Sequence, residues 1–84
     1  MSSGHIAAME NMDRITRLPA VMGGKPCIRG LRVTVGTITG LLATGRTHQE
    51  ILELYPYLEA ADIAAALAYA TWRAEEYEVE LQPA

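Results

Sequence analysis

The apolar residues change period along the chain, and each change marks an element. Arg14-Ile15-Thr16-Arg17-Leu18 alternates polar with apolar up to Pro19, which predicts a short strand with one buried face. Residues 20–30 hold three glycines and a proline and predict a loop in which Pro26 keeps Lys25 extended and Ile28 is anchored inward. Arg32-Val33-Thr34-Val35 offers a second extended stretch, β-branched and suited to pairing with the first in a small ribbon. From Val35 the spacing becomes helical. Val35, Ile38, Leu41 and Leu42 share one side, Thr34 stands as N-cap, and Gly45 is the stop. Thr47-His48-Gln49-Glu50 is a capping box opening a second helix through Ile51, Leu54 and Tyr55, which must end near Pro56.

A third and longest helix is expected from about residues 59–61 to Glu78, with Ile63, Ala66, Leu67, Ala70, Ala74 and Tyr77 on its core side. A second apolar line, Ala61, Ala65, Ala68, Tyr69 and Trp72, flanks the first. One neighbour cannot cover both, so Ala65, Tyr69 and Trp72 are assigned to a dimer interface, the alternative being that Tyr69 and Trp72 lie across the same core. The pattern therefore predicts a mainly α fold, a three-helix helix-turn-helix or winged-helix-like domain over residues 14–78 with a short N-terminal β-ribbon. Residues 1–13 carry no pattern and are expected to be a disordered or added start, and residues 79–84 a frayed end.

Size bears on assembly. Eighty-four residues make one domain, but one this short buries little more than half of its unfolded surface and gains from outside support. With one cysteine and two scattered histidines, disulfides and structural zinc have little basis, which leaves oligomerisation. The start lacks a basic, apolar leader, and no segment approaches the roughly 20 consecutive apolar residues of a membrane span. A cytoplasmic location is expected.

Charge is unevenly placed. Residues 1–46 carry six bases (Arg14, Arg17, Lys25, Arg29, Arg32, Arg46) against two acids, a balance of +4, whereas residues 47–84 carry eight acids against Arg73 alone, a balance of -7. A basic front suits an anionic partner, although solvated charge without a partner explains the same count. Gly23-Gly24-Lys25 is not a phosphate-binding loop, because Pro19 and Pro26 stand where the first glycine and the hydroxyl residue belong. Cys27 has only His5 and His48 as potential bases and reads as a small buried thiol. Glu75, Glu76, Glu78 and Glu80 look like a solvated helix end. No catalytic set, metal site or cofactor site emerges, and the chain is expected not to be an enzyme.

Residues 47–70 have the layout of a DNA-binding helix-turn-helix, but the second helix opens Glu59-Ala60-Ala61-Asp62, which offers no donor to guanine or phosphate. Lys25, Arg29, Arg32 and Arg46, with Thr47 and His48, are then the candidate contacts to DNA or to a protein partner.

Gly23-Gly24-Lys25-Pro26-Cys27-Ile28-Arg29-Gly30, followed by Arg32-Val33-Thr34-Val35, Gly45, Glu50-Ile51-Leu52, Tyr55-Pro56 and the run from Asp62-Ile63 to Ala70, closely resembles the bacterial domain-of-unknown-function 433 family over about residues 14–74. These small proteins are regarded as antitoxins of PIN-like ribonuclease toxins. The resemblance implies a winged-helix-like or three-helix domain, a homodimer, a neighbouring PIN-like toxin as partner, and contact with the operon's own promoter DNA. Arg29 or Arg32 would then enter the toxin's acidic, metal-binding site. Glu59-Ala60 departs from the hydroxyl cap and proline often found before the third helix. With little chain after Glu78, contact with a toxin is expected from the folded surface. Two other readings stand beside the antitoxin: a stand-alone DNA-binding repressor and a structural dimerisation module.

Overall fold

The computed structural model describes residues 11–76, and the expectations for residues 1–10, for Tyr77 and Glu78 at the helix end, for Glu80, and for a frayed 79–84 lie outside them. A 3-10 turn at Met12–Arg14 leads into β1 (Ile15–Thr16), and after a loop containing a tight turn at Met22–Gly24 come β2 (Cys27–Ile28), α1 (Val35–Ala43), α2 (His48–Leu54) and α3 (Ala60–Glu76). Among the described residues this is a mainly α arrangement of three helices with a two-stranded antiparallel ribbon at its N-terminal side. Met12, in the stretch read as an unpatterned start, packs against the core.

The ribbon differs from the expected pairing. β1 pairs with β2, Ile15 opposite Ile28 and Thr16 opposite Cys27, so the partner strand comes from within the loop rather than from residues 32–35. Val33 to Val35 lies along the other edge of β2 through a Cys27–Thr34 bridge, with Ile28 N–H donating to the Val33 carbonyl at 3.0 Å and Val35 N–H to the Pro26 carbonyl at 2.9 Å. The reason is burial. Cys27 and Ile28 are almost wholly enclosed, and two apolar residues held extended after a proline pair on both sides to satisfy their backbone groups.

The helix ends follow the sequence closely. Thr34 Oγ1 accepts the Thr37 N–H at 3.0 Å. α1 closes with Gly45 at φ 95°, its N–H on the Leu42 carbonyl and the Arg46 N–H on that of Leu41, a Schellman pair. At α2 both halves of the capping box form: Glu50 N–H to Thr47 Oγ1 at 3.0 Å and Thr47 N–H to Glu50 Oε1 at 2.8 Å. The core gathers Ile28, Val33, Val35, Ile38, Ile51, Leu58, Ile63, Ala66 and Tyr69.

The rotation of α3 about its axis departs from the sequence reading. Asp62, Ile63, Ala65, Ala66 and Tyr69 are buried, whereas Leu67 and Ala74, assigned to the core, are exposed. Ala65 and Tyr69, assigned to a dimer interface, lie inside the chain, and of that trio only Trp72 is exposed, its ring 5.7 Å from that of Tyr69. The outward face of α3 instead runs Ala60, Ala64, Leu67, Thr71, Ala74, with Trp72 at its margin.

Candidate functional site

Among the described residues the most elaborate polar arrangement is built around Asp62, the third residue of α3 and wholly enclosed at 0% exposure. A carboxylate so placed is costly unless each lone pair finds a donor. Three groups supply four donors. Arg29 Nε donates to Oδ1 at 3.0 Å and Nη2 to Oδ2 at 2.9 Å, a two-pronged pairing. Arg14 Nη1 reaches Oδ1 at 2.8 Å, and the Glu59 N–H donates to Oδ2 at 2.8 Å. The last of these is half of a capping box, an acidic side chain in the first turn reaching back to the N-cap amide. The other half, an N-cap side chain accepting the Asp62 amide, is not made: the Glu59 carboxylate pairs with Arg14 at 2.8 Å, and the Asp62 N–H donates to the Glu59 carbonyl at 2.9 Å.

Electrostatics follow from this geometry. Burial alone raises the Asp62 pKa, but the hydrogen bonds from Arg29, the Glu59 amide and Arg14 overcome it and hold the carboxyl at about 2. The Arg14 guanidinium is pushed upward by its hydrogen bonds to Glu59 and Asp62, and that of Arg29 by its hydrogen bonds to Asp62.

Both arginines are delivered by the ribbon. Arg14 precedes β1 and Arg29 follows β2, joined by Arg29 N–H donating to the Arg14 carbonyl at 2.7 Å. Arg29 has φ 46° and Gly30 φ 72°, with Leu31 N–H closing onto the Ile28 carbonyl at 2.7 Å, as in a type I′ turn. A left-handed arginine is uncommon and costs about 1 kcal/mol or more. It persists because the guanidinium is fixed at its far end, on Asp62 and on the Tyr57 carbonyl at 3.0 Å.

Arg29, a candidate contact in the sequence, is 37% exposed and at the same time holds Asp62 and the Tyr57 carbonyl with its guanidinium. Thr47 Oγ1 is occupied as a cap. Lys25, Arg32, Arg46 and His48 are exposed, and among the described residues none of them forms an ion pair. The sequence marks Asp62 only as part of a helix start that offers no donor, and Arg14 only as one of the bases of the front half. The available signal was the place of Asp62 three residues after Glu59, where a carboxylate reaches back to the N-cap amide. Cys27 is enclosed at the ribbon. Among the described residues no group of three histidines, cysteines, aspartates or glutamates gathers where a metal could sit, and no helix is long and apolar enough to cross a membrane.

The comparisons with known proteins fall on this framework. The uncharacterized protein y4eO of Sinorhizobium fredii (strain NBRC 101917 / NGR234) is 38% identical over 56 residues, 67% of this chain but 25% of that protein. The chain thus spans about a quarter of that relative's length. A crystal structure of a DUF433 member protein from Anabaena variabilis ATCC 29413 is similar with a TM-score of 0.71 and 30% identity, over 90% of this chain and 73% of that one. The family described as Protein of unknown function (DUF433) matches residues 15–70, a stretch that opens at β1, takes in both strands and, of the Asp62 clasp, Arg29, Glu59 and Asp62, and ends within α3. With two thirds of its length matched, ribbon and three helices together, the chain belongs to the DUF433 family.

Proposed function

We propose that this chain is a non-catalytic antitoxin of a type II toxin–antitoxin pair, a cytoplasmic homodimer that neutralises a PIN-like ribonuclease through its folded surface. The observation carrying this reading is the closed start of α3. A DNA-reading helix-turn-helix presents that end to the major groove. Here it is occupied by the Asp62 clasp and edged by the exposed Glu59 carboxylate, which repels phosphate. The outward cations Lys25, Arg32 and Arg46 suit a carboxylate-bearing protein, and the acidic metal site of a PIN-like nuclease has that chemistry. With the Arg29 guanidinium engaged by Asp62 and Tyr57, the exposed Arg32, which forms no ion pair among the described residues, is the side chain assigned to insertion there.

The test is co-expression with a PIN-like product encoded beside the gene. Co-purification and loss of RNA cleavage are expected. Unimpeded cleavage with no complex overturns the reading. A second reading, a stand-alone repressor, is favoured by the same cations, since exposed Lys25, Arg32 and Arg46 could lie on a phosphate backbone without any help from α3. It requires retardation of upstream DNA that falls steeply with salt and weakens in Arg46→Ala.

A further inference from the structure

The loop between β1 and β2 forms a surface that the Asp62 clasp does not use. It turns twice: Val21 N–H donates to the Leu18 carbonyl at 2.9 Å, and Gly24 N–H to that of Val21 at 3.0 Å. Arg17 Nε closes the loop onto the Gly24 carbonyl at 3.3 Å, leaving the two terminal nitrogens of its guanidinium outside this bond. Met22, Gly23 and Gly24 follow one another at φ 52°, 68° and 83°. Packing does not require this run of left-handed backbone. A side chain at Gly23 would meet nothing within 4 Å, and one at Gly24 only the Pro19 backbone at 3.9 Å. Its effect is to hold open a concavity lined by Arg17, Pro19, Gly23 and Gly24 and to turn Met22 into solvent.

Two large apolar side chains stand at this loop, Leu18 at 47% and Met22 at 37% exposure. Two cations share it, Arg17 and Lys25, both exposed and without a carboxylate among the described residues. We propose that residues 17–25 are the docking surface for a protein segment that carries carboxylates beside an apolar side chain, Arg17 and Lys25 taking the carboxylates and Leu18 and Met22 covering the apolar group. Charge complementarity selects an acidic occupant. Leu18 and Met22, exposed on the same loop, select polypeptide over nucleic acid, because a phosphate backbone gives them nothing to cover. This rests on the protein-partner reading and adds the contact surface to it.

The experiment titrates the isotopically labelled protein with a short fluorescein-labelled peptide of alternating aspartate and leucine, following amide shifts and polarisation, with a random-sequence DNA duplex as a second arm. Peptide-induced shifts centred on residues 17–25 are expected, with affinity falling about tenfold in Arg17→Glu/Lys25→Glu, as for two lost charge contacts. Met22→Asn and Lys25→Glu alone leave the Arg17–Gly24 bond in place, and asparagine tolerates the left-handed backbone. Each is expected to weaken binding severalfold with an unchanged melting temperature. Shifts elsewhere, affinity unaffected by all three variants, or tighter binding of the duplex through the same cations would each overturn the proposal. Failure of the peptide arm alongside an intact toxin complex would remove this surface and leave the antitoxin reading standing. The converse result would do the reverse.

Discussion

Replacing Asp62 by asparagine tests whether the charge of the clasp, rather than its shape, holds α3 in place. The amide oxygen can still accept the Glu59 N–H, but the charge facing Arg14 and Arg29 is gone. Asp62 is held at about 2 against an ordinary value of 3.8, and a difference of nearly two pH units corresponds to about 2.5 kcal/mol between its charged and neutral forms. Removing one member of a buried ion pair costs about 3–5 kcal/mol when the remaining charge is sealed in. Here the arginine side chains are 28% and 37% exposed, so water recovers part of that loss. The expected cost is about 2–3 kcal/mol at neutral pH, a fall in melting temperature of roughly 10–20 °C for a domain of this size.

The sign of the pH dependence separates charge from packing. A carboxyl whose pKa is lower in the folded state contributes stability that is complete above its ordinary value and is lost as pH falls from there through about 2. Urea unfolding followed by far-UV circular dichroism should therefore show wild type and Asp62→Asn well apart at neutral pH and converging in strong acid, because wild type approaches the neutral form that the variant already mimics. An equal gap at both pH values would refute the electrostatic account. A neutral-pH gap under about 0.5 kcal/mol would refute the clasp as a source of stability.

Arg29→Lys should lower the urea midpoint nearly as far as Arg29→Ala, since an ammonium cannot bridge both Asp62 oxygens and the Tyr57 carbonyl; recovery of wild-type stability by lysine would show that a point charge suffices. Thr47→Ala removes one half of the α2 capping box and should cost about 1 kcal/mol by denaturant unfolding. Leu67 is 39% exposed on the uncharged outward face of α3. For the proposed homodimer, Leu67→Glu should give a monomer with unchanged helix content by sedimentation equilibrium, whereas a monomeric wild type at micromolar concentration would remove that part of the proposal.

What the sequence makes legible here is what short-range chemistry decides. Thr34, Gly45 and the Thr47–Glu50 box act on amides within a few residues, so both shorter helices could be bounded by reading alone. The pairing of β1 with Cys27–Ile28 was hidden because two apolar residues between Pro26 and the Arg29–Gly30 turn are too few to show alternation. Arg29 looked available because its left-handed backbone, which sends the guanidinium back toward α3, leaves no trace in residue type.

The α3 result has a different cause, and it links fold to function. Alanine occupies so much of this helix that apolar spacing scarcely distinguishes one face from another: Ala60, Ala64 and Ala74 point outward, while Ala65 and Ala66 are buried. Hydrophobic burial alone would leave the rotation of such a helix weakly specified. Asp62 removes the freedom, because its carboxylate has donors on one side only, where β1 and β2 bring Arg14 and Arg29 together, and Ala66 and Tyr69 follow it at steps of four and three along the buried stripe. The same ion pairs that turn Tyr69 inward thus turn Leu67 outward and occupy the helix start. One buried carboxylate decides which face of α3 is left exposed.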